Sequence, residues 1–213
     1  MNKACRPFEK EEIALMFEGF KTEEYGNRDR AIFAVGISTG FRINEILSLR
    51  VKDVYNEIGD PYDKIKVQKR NMKGGKSRPP KKIFPETKLY LSHWYDELMR
   101  RWTVHRSSKC FMSEKGGAIS AETFRVCINR VCKKVGIETK EIGTHSMRKT
   151  FANAVYDYWV KQAKEGRRIE PMRMVQIELA HSNIDDTYRY LNFKLEEKGD
   201  DVFHEYNMLA GLY

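Results

Sequence analysis

No run of apolar residues in this chain approaches the length needed to cross a bilayer, which excludes a spanning helix within these 213 residues. No signal-peptide pattern opens it either, because MNKACRPFEKEE is polar and charged from the start. We expect a soluble, cytoplasmic protein. Cysteine is scarce: Cys5, Cys110, Cys127 and Cys132 form no CxxC, and no pair sits beside histidines at zinc spacing. They read as reduced thiols, mostly small core residues. No cluster of carboxylates is spaced to hold a metal, and there is no GxxxxGK[ST] loop to cradle a nucleotide. Internal repeats and low-complexity segments are absent.

Positive charge is what the chain has in excess. There are 39 Lys and Arg against 30 Asp and Glu, a formal net charge of +9. A basic domain of this size favours a polyanionic partner, most often nucleic acid, although many basic proteins bind none.

Hydrophobic spacing predicts mostly helix. Residues 8–20 and 28–38 read as helices, the second closed by Gly40 as a C-cap. RINEILSLR restarts as a short helix. Residues 51–84 change character: DVYNEIGDPYDKIKVQKR alternates, with Gly-Asp-Pro as a turn, and a basic glycine-containing loop leads into a strand that Pro79 and Pro80 confine to an edge. Nothing helical separates these pieces, so the sheet is expected to be antiparallel. Helices resume at 86–102 and at 121–135, the latter capped by Ser120 after a loop, SEKGGAIS. Another follows near 145–163. Pro171 begins one that ends near Ala180, Asp185 or Asp186 opens the next, and an amphipathic helix closes the chain at about 195–209. The layout is mainly α with a small antiparallel β-sheet, an α+β fold with no clear linker.

Three segments carry residues suited to phosphoryl chemistry. In STGFRINEILSLRVKDV, Arg42 and Glu45 share a helix face. An exposed ion pair at a helix boundary would look the same. In GTHSMRKTFANAV, His145 and Arg148 share a face, and an Arg among apolar neighbours needs an anionic partner. In LAHSNIDDTYRYLNF, His181 is followed by Tyr188 and Tyr190, for either of which packing is the ordinary role. Between them lies MKGGKSR, where Lys73, Lys76 and Arg78 flank two glycines in a phosphate-contacting loop or an ordinary basic turn. Together the pieces suit one reaction. Two guanidinium groups clamp phosphodiester oxygens, histidines donate hydrogen bonds or move a proton, and a phenol attacks phosphorus.

In this order and at these internal spacings the segments resemble the catalytic domain of the tyrosine recombinases, the phage integrase family, over roughly residues 8–193. The resemblance implies Arg42 as the first catalytic arginine with Glu45 as its acidic neighbour, and Lys73 of the β-hairpin as general acid. It further implies His145 and Arg148 as the HxxR pair, and His181 with a tyrosine nucleophile nine residues on, which selects Tyr190. Two positions on a helix differ by about 200° around its axis, so at most one of Tyr188 and Tyr190 faces the other site residues. Lys76, Arg78, Lys149, Arg167 and Arg168 are the expected DNA contacts.

The implied protein is a site-specific DNA recombinase or integrase. It cleaves and rejoins double-stranded DNA through a 3′-phosphotyrosine, without cofactor or metal, as a tetramer on two DNA sites, at the nucleoid and away from membranes. The expected organisation is a single catalytic domain over 1–213, lacking the N-terminal core-binding domain, with segment 195–209 either docking on a neighbour or packing on its own domain. Two rivals remain: a type IB topoisomerase using the same attack, and a catalytically silent DNA-binding or regulatory derivative. The sequence departs from the pattern at Lys149, where the family commonly has His, and at Ala180, where it commonly has Gly. In addition, 33 residues separate Arg148 from His181, about ten more than the resemblance implies.

Overall fold

Phe33 lies among the rings of Phe8, Phe17 and Phe20, each within 5.6 Å centroid to centroid. This aromatic knot joins α1 (Lys10–Phe20) to α2 (Gly26–Thr39) in a computed structural model that describes residues 5–68 and 79–191. Both helices match the periodicity of the sequence. α2 is apolar on nearly every side and correspondingly buried from Ala31 to Gly36. It packs against α5 (Pro85–Arg101), where the Trp94 indole donates to the Cys110 carbonyl at 2.9 Å.

α3 (Ile43–Ser48) follows α2 after a break of three residues. The alternation of residues 53–70 predicts strand from its start, but Asp53 and Val54 instead finish a single turn of helix, α4 (Val51–Val54). Asp53 explains this, since its carboxylate accepts from the Arg50 N–H at 2.9 Å and caps the turn. The sheet then forms as expected: β1 (Lys64–Ile65) pairs antiparallel with β2 (Lys81–Lys82). A second hairpin is a correction. Residues 113–120, expected as loop, include β4 (Gly117–Ala118), which pairs antiparallel with β3 (Met112–Ser113). Gly116, at φ 80, makes that tight turn. Ser120 caps α6 (Ala121–Lys134), accepting from the Thr123 N–H at 2.9 Å.

The chain divides into two compact units, Met1–Phe151 and Ala152–Tyr213. α7 (Thr144–Lys164) starts in the first and finishes in the second. The long interval between Arg148 and His181 is mostly helix: α7 runs on to Lys164, Gly166 turns the chain at φ 92, and α8 (Pro171–Leu179) follows. Residues 184–191 form the next helical run. Its cap is Asn183, whose side-chain oxygen accepts from the Asp185 N–H at 3.1 Å, rather than either aspartate. No described helix is long and apolar enough to cross a membrane. The expected helix at 195–209 lies outside the described residues.

Candidate active site

Two glycines seat the candidate arginines of the first unit. Gly40 ends α2 in the left-handed region, φ 66, where a Cβ would also lie 2.3 Å from the Phe151 ring. At Gly36 a Cβ would lie 2.6 Å from Met147 Sδ. Larger side chains at either position would push the start of α7 away from α2. The close approach lets Arg148, only 1 % exposed, donate from Nη1 to the Gly40 carbonyl. That carbonyl lies at the negative end of the α2 dipole, a suitable partner for a buried cation.

Arg42 heads α3, two residues further on. Its backbone N–H donates to Glu45 Oε2 at 2.8 Å and its Nη1 to Oε1 at 3.2 Å. One carboxylate thus holds both the backbone and the guanidinium of Arg42. Glu45 is itself 2 % exposed, so these charge-assisted bonds help to offset its desolvation. His145 is exposed on α7, three residues before Arg148 and on the same helix face.

The second unit holds His181 and Tyr190, in a local arrangement built from hydrogen bonds. α8 ends in a Schellman turn: the Ala180 N–H reaches the Ile177 carbonyl and the His181 N–H the Gln176 carbonyl, each at 3.0 Å. Ala180 occupies the left-handed position at φ 51, the one positive-φ residue other than glycine among those described. The turn is therefore intact without glycine, at a strain of about 1–2 kcal/mol. Gln176 Nε2 donates to the His181 carbonyl at 3.2 Å, and Arg173 donates to Gln176 Oε1 at 2.6 Å. The His181 ring meets the fully buried Thr187 hydroxyl through Nδ1 at 3.1 Å. Tyr190 lies beside it, ring centroids 5.0 Å apart at 56°. Tyr188 is 45 % exposed.

Residues 6–197 match the phage integrase family. The chain belongs to that family. Among curated relatives, the tyrosine recombinase XerD of Lacticaseibacillus casei is 27% identical over 178 residues, which cover 83% of this chain and 54% of that protein. A XerC of Chlamydia trachomatis is 25% identical over 201 residues, covering 92% and 57%. The chain spans about half the length of the curated relatives it matches. Its fold is similar to that of the XerH site-specific recombinase in a post-cleavage complex with its difH substrate, at TM-score 0.68 and 23% identity over 96% of this chain and 54% of that one. The catalytic domain of bacteriophage HP1 integrase superposes with TM-score 0.54 at 19% identity, covering 97% of this chain and 98% of that domain.

Within this phage integrase fold the first unit gathers Arg42, Glu45, His145 and Arg148, and the second gathers His181 and Tyr190. Lys73, Lys76 and Arg78 lie outside the described residues. Arg167 and Arg168 are exposed after the Gly166 turn. Lys149, expected at a DNA-facing surface, is buried at 9 % exposure, and that burial lowers its pKa. Gly36, Gln176 and Thr187 are contributors that sequence reasoning missed. The GISTG spacing, with glycines four apart, was the available signal for Gly36. Among the described residues no group of three or more His, Cys, Asp or Glu is arranged to hold a metal ion. The cysteines carry no disulfide, and burial pushes the thiols of Cys110 and Cys127 well up and that of Cys132 to about 11. Those three are core residues, not nucleophiles.

Proposed function

We propose that this phage integrase family member cleaves and rejoins DNA strands as a site-specific recombinase, through a covalent 3′-phosphotyrosine at Tyr190. The observation that carries the reading is the pairing of Tyr190 with His181, rings 5.0 Å apart, while Tyr188 lies exposed. In the proposed reaction Arg42 and Arg148 hold the non-bridging oxygens of the scissile phosphate. Their charge is fixed in advance by Glu45 and the Gly40 carbonyl, so little reorganisation is needed as negative charge develops. Tyr190 Oη bonds to phosphorus and the phosphorus–O5′ bond breaks. The phenolic proton passes to a histidine of the site, and Lys73 protonates the leaving 5′-oxygen. A 5′-hydroxyl from a partner strand then reverses the attack. The phosphotyrosine keeps the bond energy, so the cycle is isoenergetic.

The proposed partner is double-stranded DNA, bound by a tetramer at two sites, in the cytoplasm at the nucleoid. Lys76, Arg78, Arg167 and Arg168 contact its phosphates, so affinity falls steeply with salt. Buried Lys149 is assigned a packing role instead. The test is Tyr190→Phe on a nicked duplex. Wild type is expected to form a covalent protein–DNA adduct, and the variant to bind DNA yet form none. An adduct persisting in the variant overturns the assignment. Rapid relaxation of a plasmid lacking any recombination site would point to a topoisomerase instead.

A further inference from the structure

β2 carries two lysines in different surroundings: Lys82 is exposed, whereas strand alternation turns Lys81 inward, to 7 % exposure. The Lys81 ammonium lies 5.5 Å from the centroid of the Phe151 ring, within cation–π reach. That ring is the one against Gly40, where a Cβ would come within 2.3 Å. Arg148, three residues before Phe151 on α7, donates to the Gly40 carbonyl. Arg42 follows Gly40 by two residues and is held by Glu45. Lys81 and Gly40 thus border the same Phe151 ring, and Gly40 is the residue whose carbonyl Arg148 holds, two before Arg42. What the lysine adds is positive charge in a low-dielectric place, where it acts over a longer range than at the surface.

We infer that Lys81 is a positioning residue for the phosphate: a buried cation that reinforces the Arg42–Arg148 pair as negative charge builds on the scissile phosphodiester. The inference rests on the strand-transferase reading above. It is tested with Lys81→Met and Lys81→Arg, measuring the single-turnover rate of adduct formation on nicked DNA and the melting midpoint with and without inorganic phosphate. Lys81→Met is expected to slow adduct formation about 10- to 100-fold with DNA affinity within about twofold. The rise in melting midpoint that phosphate gives wild type shrinks in this variant. Lys81→Arg restores most of the rate.

A wild-type rate in Lys81→Met overturns the inference. So does a slow rate that tracks a lowered phosphate-free midpoint and that arginine does not rescue. If wild type forms no adduct on any duplex, the strand-transfer reading fails, and the phosphate shift alone then judges Lys81. Loss of the shift in Lys81→Met upholds the buried cation site, and an unchanged shift overturns it.

Discussion

In the first unit Arg148 and Arg42 rest on a continuous apolar core that includes Phe33, Ile46, Trp94 and Met147, all fully buried. In the second, the described buried apolar residues are only Ala152, Val175, Leu179 and Leu191, while Tyr158 and Ile177 are more than half exposed. There His181 is held by its Schellman turn, by Gln176 and by the Thr187 hydroxyl. The two means differ in strength. Truncating a well-packed core side chain costs about 2–5 kcal/mol, whereas one neutral hydrogen bond contributes about 1 kcal/mol. Cations that stabilise a transition state work best when fixed in advance, and the arginines proposed for that role stand on the stronger frame. Among the described residues, the imidazole is met by hydrogen bonds, the Thr187 hydroxyl among them, after a turn that holds one left-handed alanine.

The largest expected effect comes from removing a fixed cation. Arg148→Ala or Arg42→Ala should lower the rate of adduct formation by about a thousandfold or more, measured in single-turnover assays. Next is the glycine that seats Arg148. Gly40→Ala adds left-handed strain and a clash with Phe151, together roughly 3 kcal/mol of destabilisation by urea denaturation.

In the second unit the effects shrink both for stability and for rate. Thr187→Val keeps the side-chain shape and removes only the hydroxyl that meets His181. Stability should fall by about 1 kcal/mol, adduct formation should slow about tenfold, and Thr187→Ser should restore the rate. A Thr187→Val rate equal to wild type would break the comparison by showing that packing alone orients the imidazole. The smallest effect is favourable: Ala180→Gly should add about 1 kcal/mol of stability with little change in rate.

Much of the site was legible because its residues are local in sequence. Arg42 and Glu45 are three apart, as are His145 and Arg148, and the Gly40 C-cap announces itself as the last residue of an apolar helix. Four features were not legible, because each depends on a contact beyond its own helical turn or on a short competing bond. Gly36 matters through Met147, far along the chain. Lys149 looks like a surface cation until tertiary packing buries it. The alternating stretch begins at Asp53, yet Asp53 and Val54 finish a turn of helix that the Asp53 carboxylate caps. Thr187 stands between a histidine and a tyrosine that draw attention away from it. Its role appears only when helix 184–191 brings its hydroxyl to the imidazole.

The central claim is that one phenol of two meets phosphorus. Tryptic cleavage after Arg189 puts Tyr188 and Tyr190 on separate peptides. Wild-type protein trapped on a nicked duplex, digested with trypsin and analysed by mass spectrometry will report which peptide carries the nucleotide remnant. The remnant is predicted on the peptide that begins at Tyr190. A remnant on the peptide ending at Arg189, or on any other, would contradict the account.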